Sequence, residues 1–585
     1  MDAPDRLSET AYVDKLGPEA ESLFTHGREP EPYVRSAVVD PVVALLRNGQ
    51  NVALVGPVGV GKRSLALSLR RSEAWSTDDR PTLPFDTPAA HPDSWPVYCT
   101  TTRNWVAGSY YVGNLENRID LMLRRVRKPA VILFESVHTA IGAWQGTHDV
   151  QDLVDLLVSV AAHPRLRMVV TATPEGWAQL RERKADFAAQ FAVVEPAPPT
   201  DRESRVIAAL ELARHRVDVA TSDRAVAEVF TLAARHFPLE PPLGPALRLL
   251  RGALARPGGQ AGLPALRAAC AGQLGLRRCW VGRDFVPEAA AVLAELERVV
   301  LGQRDACAAV VDDLIAASYG LGSPGRPRSY VFAGPPGIGK TSLACALQEQ
   351  LGGPGTQPLR FDCSELVSPG DALRLISTDE PGSLVVGLVE RPGAVVLFDE
   401  VDRAHPFVRG LLYQLLEGRV TTREGATLST ANATVIMTTN AGAEAWHGDA
   451  DADQARAATL RACAEVLGDA IASRVTRMLV FPPLADDDGR LIVELELERF
   501  GARPDLRERG VSVSATPRLV RGLTRSCLSS RSGARGVQKA VYVAVAVPVA
   551  RLINEQDVRR STLLVDALTD APELEGVRIE IQRWH

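Results

Sequence analysis

The stretch that most constrains this chain is Gly334-Pro335-Pro336-Gly337-Ile338-Gly339-Lys340-Thr341. It follows the apolar run Tyr330-Val331-Phe332-Ala333 and opens into the helix-forming Ser342-Leu343-Ala344-Cys345-Ala346-Leu347. A strand, a glycine-rich loop and a helix in that order make a phosphate cradle. The glycines let backbone N–H groups turn inward on phosphate without a Cβ in the way. Lys340 is placed to reach the β/γ-phosphates, and the Thr341 hydroxyl to take a Mg²⁺ ligand position. The expectation is ATP or GTP, with Mg²⁺, at this loop. The bland alternative is a glycine turn that merely precedes a helix, and the flanking strand and helix weigh against it together.

The chain is 585 residues long, enough for about three to five domains. With 46% hydrophobic and 23% charged residues it reads as soluble and globular, able to bury sizeable cores. A net charge of −5 is small for this length and argues against a broad nucleic-acid footprint, so no nucleic-acid partner is expected. Cysteines 99, 270, 279, 307, 345, 363, 463 and 527 are scattered with no C-x-x-C pair, which points to neither zinc nor a disulfide framework. Met1-Asp2-Ala3-Pro4-Asp5 lacks the apolar core of a signal peptide. The longest apolar run, Ala540 to Ala550, is short for a bilayer span and contains Pro548. A cytoplasmic protein with no membrane partner is expected.

A second glycine-rich loop, Gly56-Pro57-Val58-Gly59-Val60-Gly61-Lys62-Arg63-Ser64, follows its own apolar run Asn51-Val52-Ala53-Leu54-Val55. Gly56, Gly59, Gly61 and Lys62 are its candidate phosphate contacts. The chain therefore reads as a tandem duplication of one nucleotide-binding module. Each copy continues with a strand ending in acid, Val131-Ile132-Leu133-Phe134-Glu135 in the first and Val395-Val396-Leu397-Phe398-Asp399-Glu400 in the second. A further apolar strand follows in each, at 168–173 and 435–440. Short apolar runs between helical patterns are those of buried parallel strands, so both cores are expected to be α/β with a parallel sheet. Ala/Leu/Arg patterns at about 200–255 and 485–560 predict an α-helical lid after each core. The Pro-studded stretch Trp75 to Pro96 reads as a surface loop, and the breakers at 256–264 as an inter-module connection. The resulting plan is a lead-in at 1–35, a first core at 36–197 and a first lid at 198–256. A linker at 257–283, a second core at 284–484 and a second lid at 485–585 complete it.

Two such modules resemble the Clp class of AAA+ ATPases, the double-ring unfoldases and disaggregases. In the second module the similarity runs from Val300-Leu301-Gly302-Gln303 onward. It includes Phe398-Asp399-Glu400-Val401-Asp402-Arg403-Ala404-His405-Pro406, Thr438-Thr439-Asn440, Ser473-Arg474-Val475 and Gly533-Ala534-Arg535-Gly536. The resemblance implies that Asp399 holds the Mg²⁺ shell, Glu400 polarises the attacking water and Asn440 orients it. It implies that Arg474 is an arginine finger offered to a neighbouring subunit and Arg535 a lid arginine at the γ-phosphate. For either arginine a surface salt bridge is the plain alternative. A finger in trans requires an oligomer, and the family implies a homo-hexamer.

The first module keeps the frame and departs in its chemistry. Arg63 stands where Thr or Ser binds Mg²⁺, Glu135-Ser136 where Asp-Glu is expected, and Ala188-Ala189-Gln190-Phe191 where the family has finger arginines before Phe. Arg181, Arg183 and Lys184 are candidates for a displaced finger. The first module is therefore expected to be structural or nucleotide-holding, without hydrolysis. It does keep a segment resembling the family's pore loop, Val106-Ala107-Gly108-Ser109-Tyr110-Tyr111-Val112-Gly113, in which Tyr110 and Tyr111 are placed to contact a threaded polypeptide. The alternative is two tyrosines packed under a loop. The second module lacks that segment, and no aromatic lies between Phe361 and Phe398. No N-terminal adaptor domain, coiled-coil insert or barrel-protease docking tripeptide is read. The expected function is ATP-driven remodelling of a polypeptide. The alternative is a ring-forming ATPase switch that assembles or releases a dedicated partner without threading. The valine-rich run 540–550 suggests a strand by content and a helix by resemblance. An all-round apolar helix is expected to be buried in its own lid, or else against a neighbour.

Overall fold

The computed structural model describes residues 35–583 apart from 58, 73–93, 107–111, 127, 143–151, 216, 218, 257–261, 282–287, 324, 424, 447–450, 530–532, 557 and 569–576. Tyr110 and Tyr111 lie outside the described residues. By its internal contacts the chain divides into two units, Met1–Ala233 with Leu239–Arg251, and Ala234–Pro238 with Gly252–His585.

The first unit holds a five-stranded parallel sheet of β1 (Asn51–Val55), β2 (Val97–Thr101), β3 (Ala130–Glu135), β4 (Leu166–Ala172) and β5 (Phe191–Val194) in the order β2-β3-β4-β1-β5. The second holds β6 (Arg328–Ala333), β7 (Leu359–Asp362), β8 (Val395–Asp399), the hairpin β9 (Arg419–Thr421) and β10 (Thr427–Ser429), then β11 (Thr434–Thr439) and β12 (Arg477–Val480). Its parallel sheet runs β12-β6-β11-β8-β7, the same order read from the other edge. β1, β8 and β11 are buried along their whole length, as strands covered by helices on both faces must be. These three strands therefore read as short runs without alternation in the sequence.

The first lid is helical, with Asp201–Arg214, Val219–His236 and Leu243–Leu254. The stretch read as a linker carries a helix, Leu263–Leu274. Beyond it, the Arg277 N–H donates to Leu351 O (2.7 Å) and Trp280 Nε1 to Gln350 O (2.8 Å), anchoring it on the second core.

The second lid corrects the all-helical expectation. Its helices Asp486–Gly501 and Pro517–Ser529 pack with a three-stranded sheet of β13 (Val511–Ala515), β14 (Ser561–Ala567) and β15 (Val577–Arg583). In β14 buried and part-buried residues alternate, the period-2 signature of a strand with one face inward.

The valine-rich run is a helix, and it is longer than the run itself. Gly533–Val541 passes through a π turn, Tyr542–Ala546, into Val547–Gln556. Pro548 has no N–H to give to the carbonyl four residues back, and the widened turn ahead of it re-spaces the ladder. The Val547 N–H donates to Tyr542 O. Residues Arg535–Gln556 are long and apolar enough to cross a membrane by length and composition alone. Val541, Val545, Ala546 and Val549 pack instead into the lid core. Burial is one-sided, because Tyr542 and Val543 remain 59% and 58% exposed.

Two substitutions separate the faces. Val545→Asp, at a fully buried position, is expected to destabilise the lid by about 3 kcal/mol or more, whereas Val543→Asp should stay within about 0.5 kcal/mol. Differential scanning calorimetry of the two variants measures this directly.

Candidate nucleotide sites

In the second module the loop leaves β6, the strand between β11 and β12, and enters the helix Lys340–Gly352. Gly334 has φ +145, and a Cβ there would meet Phe481 O at 2.3 Å, so no other residue fits. Lys340 is buried. Its Nζ donates to Gly334 O, to Pro335 O (3.0 Å) and to Asn440 Oδ1 (2.7 Å). Desolvation pulls its pKa down to about 8, against the upward pull of Asp399, Asp402 and Glu400. Arg535 also pushes it down, which places the lid arginine within electrostatic reach of the loop.

Asp399, at the end of β8, is the hub. It accepts hydrogen bonds from Thr438 Oγ1, Thr341 Oγ1 (3.4 Å) and Arg360 Nη2 (2.7 Å). Glu400 adopts a left-handed conformation (φ 54), unusual for a residue with this side chain. Its N–H donates to Thr438 Oγ1 (3.1 Å), and its carboxylate pairs with Arg403 (2.8 Å). Thr341 and Asp399 present two hard oxygens to one point, the donor set a Mg²⁺ ion takes. Among the described residues no three His, Cys, Asp or Glu side chains group as a metal site. Mg²⁺ does not need such a group, since it is held by one or two protein oxygens together with phosphates and water.

Arg474 stands in a different setting. Its guanidinium pairs with Glu417, receives the Tyr413 ring face 4.3 Å from the ring centroid and donates to Tyr413 Oη (2.7 Å). Glu417 also pairs with Arg326 (3.0 Å), and hydrogen bonding from Arg474 holds its carboxyl below the usual range. Of the residues picked from sequence, the fold thus gathers Lys340, Thr341, Asp399 and Asn440, with Arg535 near. Sequence reasoning missed Arg360, Thr438, Glu417 and Tyr413. Thr438 lay inside a quoted motif, and its threonine beside a strand-end acid was the available signal.

The first module repeats the frame closely. Gly59 and Gly61 have φ +86 and +88, and Lys62 Nζ donates to Gly56 O (2.5 Å) and Pro57 O (2.8 Å), the contacts made by its counterpart. Ser136, after Glu135, has φ 51, and its N–H donates to Thr171 Oγ1 (2.9 Å). The strained turn is therefore kept where the carboxylate of Glu400 is replaced by a hydroxyl. By strand register Thr173 occupies the place of Asn440, where it caps the helix Pro174–Arg183 by accepting from Gly176 N–H (3.1 Å). Arg63 Nη1 lies 3.0 Å from Glu135 Oε2, so a guanidinium stands where the second module offers a hydroxyl to a metal. These residues do not fit Mg²⁺. Of the displaced-finger candidates, Lys184 is tied to Asp155 (2.6 Å) and Asp152 (3.1 Å), while Arg181 and Arg183 are exposed.

Fold and loops together define a protein of two tandem phosphate-loop α/β modules. Residues 326–476 match the AAA domain (Cdc48 subfamily), and residues 484–565 match the C-terminal, D2-small domain of ClpB protein. The chain is 33% identical over 291 residues to chaperone protein ClpB 1 of Thermosynechococcus vestitus, covering 47% of this chain and 33% of that one. It is 34% identical over 268 residues to chaperone protein ClpB of Pseudomonas putida, covering 44% and 31%. The chain spans about a third of the length of these curated relatives. A closed-state cryo-EM reconstruction of Hsp104 with ATPγS and FITC-casein matches with TM-score 0.70 and 22% identity, over 97% of this chain and 99% of that one. The extended conformation of the S. cerevisiae Hsp104–casein complex matches with TM-score 0.69 and 21% identity, over 97% and 100%. At these identities the two structures speak to the fold. The second module thus carries an AAA domain followed by a domain like the small D2 domain of ClpB, and the chain as a whole shares the fold of the Hsp104 structures.

The threonine that braces each strained turn gives a matched test. Thr438→Val and Thr171→Val should each destabilise their module by about 1–3 kcal/mol by leaving an N–H without its acceptor, whereas serine at either position should stay within about 1 kcal/mol. Thermal denaturation of the four variants measures it.

Proposed function

We propose that this chain hydrolyses ATP in its second module and uses that work to remodel a polypeptide, while the first module holds structure or nucleotide without hydrolysing it. The observation that carries this reading is the asymmetry between two otherwise matched loops. One is surrounded by Thr341, Asp399, Glu400 and Asn440, the other by Arg63, Glu135, Ser136 and Thr173. Lys340 and the loop amides bind the polyphosphate. Glu400 polarises the attacking water, and Asn440, already bonded to Lys340, orients it. A Mg²⁺ ion held by Thr341 and Asp399 supplies charge at the phosphates.

Arg474 acts on a neighbouring copy, with Glu417 and Tyr413 fixing its guanidinium, so the working form is a homo-hexameric ring in the cytoplasm. Arg535 reports on the γ-phosphate from the lid. The six-part domain plan read from the sequence is retained as part of this proposal. Polypeptide as substrate is supported by the ClpB relatives, which are named chaperones, and by the Hsp104 structures that contain casein. Tyr110 and Tyr111 are the proposed contacts to it.

A second reading is favoured by one observation. The second module carries no Gly-Tyr-Val-Gly segment and no aromatic between Phe361 and Phe398. A ring that switches a dedicated partner, without threading, needs no second set of gripping aromatics.

Steady-state ATPase measurements test the division of labour. Lys340→Ala and Glu400→Gln are each expected to lower turnover by about a hundredfold or more, while Lys62→Ala keeps at least about a tenth of it. Substantial hydrolysis in Lys340→Ala overturns the assignment. Tyr111→Ala is expected to stop substrate processing and spare hydrolysis. If processing survives in it and is lost in Glu400→Gln, the switch reading stands.

A further inference from the structure

The two phosphate loops differ in what they ask of an incoming anion. In the second module Lys340 faces Asp399, Glu400 and Asp402, and the two strand-end carboxylates already draw in Arg360 and Arg403. Such an acidic, oxygen-rich site repels a polyphosphate unless a divalent cation comes with it. Strand register gives the counterparts in the first module. Thr101 pairs with Glu135 as Asp362 pairs with Asp399, so Cys99 stands for Arg360, Glu135 for Asp399, Ser136 for Glu400 and His138 for Asp402. At the positions of Asp399, Glu400 and Asp402, one carboxylate remains.

A cation has also been added on the chain itself, at the position of the metal-binding hydroxyl. Arg63 bridges to Glu135 at 3.0 Å, with the carboxylate side chain only 16% exposed and its Oε1 buried without a hydrogen-bond partner. His138 contributes no compensating negative charge, and its own ring is held toward the neutral form by burial and by Lys62, against the opposing pull of Glu175. The loop has kept the left-handed Gly59 and Gly61 and the lysine contacts of a phosphate cradle, and Pro241 of the first lid closes to 3.2 Å of where a Gly59 Cβ would stand. A loop that merely turned the chain into a helix has no need of those features.

We propose that the first phosphate loop takes a nucleoside triphosphate or diphosphate without a divalent metal ion, Arg63 supplying at the phosphates the charge that a metal supplies in the second module. This rests on the reading of the first module as nucleotide-holding. On arrival of the anion, Arg63 exchanges its bridge to Glu135 for phosphate oxygens, which a guanidinium matches in a forked geometry. Glu135 is the counter-ion that keeps Arg63 at the loop beforehand. With the nucleotide held by side chains, the first module keeps its ligand when metal is scarce.

The test is an equilibrium titration of the full chain with the N-methylanthraniloyl derivative of AMPPNP, in Mg²⁺ or in EDTA. Lys340→Ala reports the first loop and Lys62→Ala the second. Removing metal is expected to change affinity by less than about threefold in Lys340→Ala and to weaken it by at least about tenfold in Lys62→Ala. Adding Arg63→Thr to Lys340→Ala is expected to weaken binding in EDTA by at least about tenfold, while Arg63→Lys stays within a few-fold of the parent. Glu135→Gln, which removes the competing carboxylate, is expected to tighten it. Binding to Lys340→Ala only with Mg²⁺, or binding in EDTA that Arg63→Thr leaves intact or Glu135→Gln weakens, overturns this proposal and spares the nucleotide-holding reading. No binding to Lys340→Ala under either condition overturns both.

Discussion

A carboxylate at the closed end of a buried parallel strand has to be paired, because an isolated charge there costs several kcal/mol in lost hydration. Asp399 meets that demand with three donors from three different elements, Thr341 after the loop, Thr438 on β11 and Arg360 on β7. This one group joins the loop, the strand beside β8 on either side and the helix start, so the positions of the loop, Lys340 and Asn440 follow from it. The same demand explains Glu135. With Ser136 in place of the second acid and a guanidinium in place of a hydroxyl, it is met by Arg63 at one oxygen, while the other stays buried without a hydrogen-bond partner. The two modules solve one electrostatic problem in two ways, and the difference in chemistry follows from the solution.

The strained residue after each strand-end acid shows what the duplication preserves. A left-handed Glu400 serves a site by aiming a carboxylate, and such strain is held only where the surroundings over-determine it. Ser136 keeps the conformation after the carboxylate has gone, braced by Thr171 as Glu400 is by Thr438. The turn therefore belongs to the backbone of the module. Serine at 136 in place of a glutamate leaves the frame standing, as the shared strand order also shows.

Much of this was legible in sequence, for reasons that differ by element. The loops, the fully buried strands and the acids that end them are local patterns, and local patterns survive without knowledge of the fold. Arg360 was not legible as a partner of Asp399, because the pairing of β7 with β8 brings together residues 39 apart. Glu417 and Arg474 lie 57 residues apart, and only the packing of the helix Pro406–Leu416 near the residues before β12 makes them a pair. The second lid misled for another reason. Its strands follow long helical patterns, so β14 was read through its neighbours and not by its own alternation. The valine-rich helix was legible as an oddity, but its one-sided burial depends on a π turn that no periodicity of 3.6 anticipates.

The proposed separation of hydrolysis in the second module from polypeptide contact in the first has a mechanical consequence. A module that hydrolyses without gripping aromatics has to transmit its strokes through the chain to one that carries them, and it does so only if the receiving module holds its shape throughout the cycle. A first loop whose counter-charge is covalently part of the chain is suited to that. Metal release, which accompanies turnover in a hydrolytic site, would not loosen a first site that binds as proposed, without metal. Replacing Thr by Arg63, Asp by Glu135 and Glu by Ser136 then reads as one coordinated change. In the proposed reading the guanidinium takes the metal's place, the longer carboxylate reaches the guanidinium, and a base is dispensable where nothing is to be hydrolysed.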